Sequence, residues 1–235
     1  MSSWSSPIQT RGRSTPSRCP EYGDRVTTPL ARRERHELCD LALTVGEDAP
    51  TLCGDWTVKD LVAHLLVREN RPWAAAGIVV PPLSGWTERS MERMARKDFG
   101  VLVEKLRDPG LTMYRLPPAE VALNTLEYFV HHEDIRRAKS GWKPRDLDPD
   151  DVDLIWKLGR GSGRLMARRV GGPFRIRRTD TGAEATLSSG DDPVTVSGPP
   201  GEVVLFLFGR DQIRDIDIEG PPESVARLRE ADLGF

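Results

Sequence analysis

Apolar residues recur at helical spacing through the first two thirds of the chain, and the pattern turns to strand-like alternation after about residue 170. From Pro29 to Val45, the residues Leu30, Leu38, Leu41, Ala42 and Val45 form one stripe, which predicts an amphipathic helix followed by a loop from Gly46 to Asp55. A second helix is predicted from Thr57, where Asp60 three residues later gives a capping-box-like start. Val58, Leu61 and Leu65 define its buried stripe. A third helix is expected over about 87–107, after the break Pro81-Pro82-Leu83-Ser84-Gly85, with Met91, Met94, Phe99, Leu102 and Leu106 as core. The fourth starts after Pro117-Pro118 and ends near Ser140-Gly141, with Pro144 beyond it. Four helices with short or medium connections suit a bundle.

Beyond that point the texture changes. A helix over about Pro149 to Val170 leads across Gly171-Gly172-Pro173 into three short strands, at 174–178, 185–187 and 194–196. Pro199-Pro200-Gly201-Glu202 opens a strongly apolar helix through Phe208, and a strand from Ile213 to Ile218 and a helix from Pro222 to Ala231 follow. The expected fold class is α+β: residues 1–25 too poor in apolar side chains to order, a helical bundle over 26–145, and a smaller α+β domain over 146–235. Gly159-Arg160-Gly161-Ser162-Gly163 lacks the preceding strand and the Lys-Ser/Thr of a phosphate loop, and reads as close helix packing. Gly209-Arg210 fits a helix C-cap, with Arg210 free to reach a neighbour, the favoured structural role, or an anionic ligand.

Polar groups on the apolar stripes need a reason. Glu127 and His131 are four residues apart, roughly 40° around a helix and about 6 Å along it, so both project from one face. Leu126, Val130 and Asp134 share that face, while Glu133, Arg136 and Arg137 fall on the other. An inward carboxylate is costly unless it meets a proton donor, a cation or a metal. His64 sits beside the buried stripe of the second helix. Two imidazoles and one carboxylate are a usual protein half of an open zinc site, with the remaining position left to water or substrate. The same residues also fit an intrahelical ion pair and a core histidine, because spacing does not show that the two helices meet.

The chain has 235 residues, with 34 basic against 36 acidic side chains and a formal net charge of -2. That balance gives no field demanding nucleic acid or membrane, and the Arg pairs at 32–33, 136–137, 168–169 and 177–178 read as solvated faces. Cys19, Cys39 and Cys53 are irregularly spaced, so neither a disulfide framework nor a CxxC zinc motif is indicated, and a reduced cytoplasm is the expected location. Cys53 reads as a small buried residue, although it lies just before the His64 helix. No apolar run reaches transmembrane length, and the N-terminus lacks the hydrophobic segment of a signal peptide.

The stretch Ala49-Pro50-Thr51-Leu52-Cys53-Gly54-Asp55-Trp56-Thr57-Val58-Lys59-Asp60-Leu61-Val62-Ala63-His64-Leu65, with Glu127-Tyr128-Phe129-Val130-His131 and Asp134 after it, resembles the actinobacterial mycothiol-dependent maleylpyruvate isomerase family. It looks nearest to the branch described only as metal-binding proteins. The resemblance runs from about Val26 to the C-terminus, and translation is accordingly expected to start there from a valine-type codon. It implies a DinB-like four-helix bundle whose His64, Glu127 and His131 hold a divalent metal, usually zinc in that family; nickel, cobalt or iron are also compatible with such ligands. His132 stands where isomerase-type members often have arginine, and pointing about 100° away from His131 it suits a surface or outer-shell position. The function implied is a mycothiol-using isomerase or S-transferase acting on a small electrophile other than the isomerase's own, with Asp134 or His132 orienting the ligands. A metal-dependent hydrolase and a non-catalytic metal-binding or sensing module remain as alternatives. Catalytic and thiol-binding residues and the oligomeric state are not legible.

Overall fold

The computed structural model of the chain describes residues 28–70, 93–94, 96–110, 121, 124–231 and 233. The N-terminal extension, 1–25, and the expected helical residues 87–92 lie outside the described residues. The fold is helix-rich α+β, with a small four-stranded sheet.

Helices α1 (Leu30–Val45), α2 (Val58–Asn70), α3 (Phe99–Arg107) and α4 (Thr125–Arg137) come first. α1 packs along α4 and against α3, and α2 packs against α3. Their apolar stripes meet in one core containing Leu38, Ala42, Val58, Leu61, Leu65, Leu102, Leu106, Tyr128 and Ile135. The start of α2 is the capping box read from the sequence: the Thr57 amide donates to Asp60 Oδ2 at 3.0 Å, and the Asp60 amide to Thr57 Oγ1 at 3.3 Å. The expected helix over 87–107 is interrupted, because 96–98 form a turn and bend. α3 begins only at Phe99, where the Asp98 side chain accepts from the Val101 amide at 3.0 Å and caps a new first turn.

α5 (Pro149–Val170) then crosses to the sheet, which is built from β1 (Phe174–Arg178), β2 (Glu184–Ser188) and β3 (Val194–Gly198). After α6 (Pro200–Leu207), β4 (Asp217–Glu219) completes the sheet, and α7 (Pro222–Glu230) follows. The strand order is β2-β1-β3-β4, with β1 antiparallel to β2, parallel to β3, and β3 antiparallel to β4. The strand expected over Ile213 to Ile218 is therefore only three residues long. Its first half is drawn away, since the Arg214 amide donates to Glu202 at 2.9 Å and Asp215 takes a positive φ of 56°.

The Gly-rich stretch in α5 is indeed a packing device. A Cβ at Gly159 would stand 2.4 Å from Val204 Cγ2, and one at Gly163 about 3.0 Å from Leu207. α5 and α6 thus approach closely, and Ile155, Val204 and Leu205 meet Leu30, Phe129 and Val130 in a second core that joins helices and sheet. The sheet covers a third core around Phe174, Ile176, Val196 and Val203. None of the described helices is long and apolar enough to cross a membrane.

Candidate functional site

His64 emerges from α2 beside fully buried Leu61 and Leu65, and the Trp56 ring stands 5.1 Å from its ring at 46°. Glu127 and His131 emerge from one face of α4. The two helices bring them together: His64 Nε2 and His131 Nε2 each lie 3.4 Å from Glu127 Oε1, and the two imidazole centroids are 5.4 Å apart at 71°. The three groups offer ligand-type atoms within 4.8 Å of one another. Their side chains are 12, 21 and 11 % exposed, so the cluster is sheltered but reachable. Arg68, one turn beyond His64, places Nε 3.3 Å from the same Glu127 oxygen.

Behind His131, its Nδ1 lies 2.9 Å from Oδ2 of fully buried Asp134. Arg210 grips that carboxylate with Nε at 2.9 Å from Oδ1 and Nη2 at 2.6 Å from Oδ2. The reach of Arg210 follows from how α6 ends. The Gly209 amide bonds to Phe206 O and the Arg210 amide to Leu205 O, a Schellman ending that needs the left-handed φ of 76° at Gly209. Cys53 is no mere filler: its Sγ donates to Asp134 Oδ2 at 3.1 Å and sits 3.7 Å from His131 Nδ1.

Burial works against charge throughout the cluster, and the contacts decide the outcome. Burial would raise the Glu127 carboxyl, yet hydrogen bonds from His131 and His64 and the charge of Arg68 hold it well below the usual carboxylate range. Burial would likewise raise Asp134, and Arg210 and His131 hold it down. His64 is pushed down chiefly by burial. For His131 burial is overcome by Asp134, Cys53 and Glu127, which push it well above 6.5.

The donor set suits a divalent cation. Asp134 at Nδ1 fixes the tautomer of neutral His131 so that its Nε2 lone pair faces Glu127 and His64, as orienting carboxylates do for ligating histidines. Taking up a cation at Nε2 needs the neutral ring, against the upward push that Asp134, Cys53 and Glu127 give its pKa.

Three expectations need correction. His132 is neither at the surface nor beside the ligands: it is buried, with Nδ1 2.8 Å from Glu34 Oε2. Glu133 and Arg137, expected on a solvated face, are also buried. α4 is covered on both sides, by α1 through Glu34 and by α6 through Glu202, which accepts from Arg137 Nη1 and Nη2 at 2.8 and 2.7 Å. Sequence reading missed Arg68, whose signal is its i+4 spacing from His64.

Fold and site together define a helix-rich α+β protein with a His-Glu-His set of metal-ligand type held between two helices. Residues 31–110 match the family model described as the mycothiol maleylpyruvate isomerase N-terminal domain. Within the chain, residues 31–110 thus carry a domain of the mycothiol maleylpyruvate isomerase N-terminal type. Among solved structures it is similar to a crystal structure of the mycothiol-dependent maleylpyruvate isomerase, at 17 % identity and a TM-score of 0.55, over 84 % of this chain and 92 % of that one. A histidine-to-alanine mutant of that isomerase matches at 16 % identity with the same TM-score and coverage. Likeness at this identity is a likeness of fold. No curated protein matches the chain.

Proposed function

We propose that the chain is a metal-dependent enzyme that uses mycothiol in an isomerase or S-transferase reaction on a small electrophile. The observation that carries the proposal is the convergence of His64 Nε2 and His131 Nε2 on one oxygen of Glu127, with Asp134 orienting His131 from behind. We read the helical layer as a DinB-like four-helix bundle over 26–145 that carries these ligands, and 146–235 as a smaller α+β domain.

His64, Glu127 and His131 would hold the ion, and a divalent ion such as zinc supplies Lewis acidity that makes a bound thiol nucleophilic near neutral pH. The chain's own residues do the rest. Asp134, charged because Arg210 holds it so, keeps the His131 ring aimed and in one tautomer. Arg210 comes from the loop after α6, so the sheet-bearing part of the chain fixes a ligand on α4. The Trp56 indole walls one side of His64 and limits its ring rotation.

The test has two stages. Tag-free protein is expected to carry about one metal ion per chain by elemental mass spectrometry, lost in His64→Ala, Glu127→Ala and His131→Ala while helical content is kept. Loaded protein is then assayed on maleylpyruvate and a panel of electrophiles with and without mycothiol. Thiol-dependent turnover supports the proposal. Turnover without thiol would replace it with a hydrolase, metal without any turnover with a binding module, and wild type that takes up no metal would end it.

A further inference from the structure

Arg68 follows His64 by one turn of α2 and projects from the same face. Its Nε lies 3.3 Å from Glu127 Oε1, the oxygen both imidazole Nε2 atoms approach at 3.4 Å. Its Nη1 donates to Asn124 Oδ1 at 2.9 Å. Asn124 immediately precedes α4 and is fully buried. Its side chain is directed to Arg68, with its amide nitrogen 3.5 Å from Glu69 Oε1. The backbone at Asn124 is itself helical, with φ -100° and ψ -26°, and its side chain meets the guanidinium at the level of the site.

The three groups around Oε1 are not equivalent. An imidazole that offers its Nε2 lone pair to a cation has no hydrogen on that atom to donate to Glu127. A guanidinium has only donors and no lone pair to offer an ion, and the planar fork of Arg68 reaches Glu127 and Asn124 at once. Ligating carboxylates depend on outside polar partners of this kind for their aim. We propose that Arg68, braced by Asn124, is the positioning residue of Glu127, holding that carboxylate in place for a divalent cation once both imidazoles turn their lone pairs to the ion. This rests on the reading of His64, Glu127 and His131 as a metal site.

Two effects of Arg68 oppose each other. Its charge repels a dication, whereas its directed contact with Oε1 orients a ligand. The sign of the change on removing it therefore separates them.

The experiment is a cobalt(II) titration against a competing chelator, followed by the visible ligand-field bands, on wild type, Arg68→Met, Arg68→Lys and Asn124→Ala, with circular dichroism to check folding. Wild type is expected to bind about one cobalt per chain. Arg68→Met is expected to bind roughly 10- to 100-fold more weakly, the range for losing an orienting partner, and with altered bands. Arg68→Lys keeps the charge but loses the fork, and is expected to fail to restore either. Asn124→Ala should move in the same direction by less, and it carries the test should Arg68→Met not fold. Unchanged or tighter cobalt binding with unaltered bands in folded Arg68→Met, or in Asn124→Ala as its substitute, overturns the proposal while leaving the metal site standing. Wild type that binds no cobalt overturns both.

Discussion

Adjacent on α4, His131 and His132 point to different sides of the helix, and each joins a cluster whose ligand-type atoms lie within 4.8 Å of one another. Around His131 a single carboxylate oxygen is approached by two imidazoles and, at 3.3 Å from one side, by the Arg68 Nε, and the second carboxylate, Asp134, is already balanced by Arg210. Around His132 the carboxylates are Glu34 and Glu37, and Arg145 is seated among them. It donates to Glu34 from Nη1 at 2.8 Å and from Nη2 at 3.0 Å, and to Glu133 from Nε at 2.6 Å. An ion entering there would have to displace a guanidinium from buried carboxylates. The two clusters thus differ in how the guanidinium sits: Arg145 donates to three carboxylate oxygens from among them, whereas Arg68 touches one oxygen of Glu127 from the side.

Removing the charge from the His132 side should give the largest effect of this contrast. Arg145→Met leaves Glu34 and Glu133 without their common partner, although His132 still reaches Glu34, and Arg136 and Arg137 still reach Glu133. The loss expected is about 3 kcal/mol, toward the low end for breaking a buried pair, read from urea unfolding. Metal content should stay at the wild-type level. A loss below about 1 kcal/mol would mean that the network is solvated and worth no more than surface pairs.

Much of this was legible in the chain. The apolar stripes placed α1, α2, α5 and α6 within a few residues, and Thr57 with Asp60 marked the start of α2 correctly. The inward direction of Glu127 and His131 followed from their i,i+4 spacing. That α2 and α4 meet did not follow, since it depends on packing across the 54 residues, 71–124, that separate them, with Leu61, Leu65 and Tyr128 in a common core. The second face of α4 was misread for a physical reason. Glu133 and Arg137 look like part of a solvated charge run, but their partners Arg145 and Glu202 come from outside α4, and only the arrival of those partners offsets the cost of burial. The short β4 has the same origin, because a buried Glu202 claims the Arg214 amide that a longer strand would have used.

Acid should sharpen the same contrast. Burial would raise Glu34 and Glu133, yet His132 and Arg145 for the first, and Arg145, Arg137 and Arg136 for the second, hold both below 4.5. In the unfolded chain these carboxyls take up protons at higher pH than in the folded protein. Their stabilisation is therefore present above pH 4.5 and is lost as pH falls through that value toward the lowered folded ones. Unfolding free energy measured from pH 7 to 3 should decline over this window in wild type. The decline should be shallower in Arg145→Met, which loses the largest charge acting on Glu133 and a principal one on Glu34. Equal slopes in the two proteins would show that other carboxyls govern the acid response.

The smallest expected effect is the most exacting test of the contrast. His132→Gln retains a donor able to reach Glu34, so the stability change should stay within about 1 kcal/mol, and the ion should remain because no atom of His132 contacts Glu127 or His64 among the described hydrogen bonds and ion pairs. His131→Gln, one position away, should release it, because the substitution removes an imidazole whose Nε2 faces Glu127 and whose Nδ1 is held by Asp134. Elemental analysis of the two variants side by side reads the difference. Release of metal from His132→Gln with retention in His131→Gln would reverse the roles of the two clusters, and would require Arg145 to leave Glu34 whenever the ion is bound.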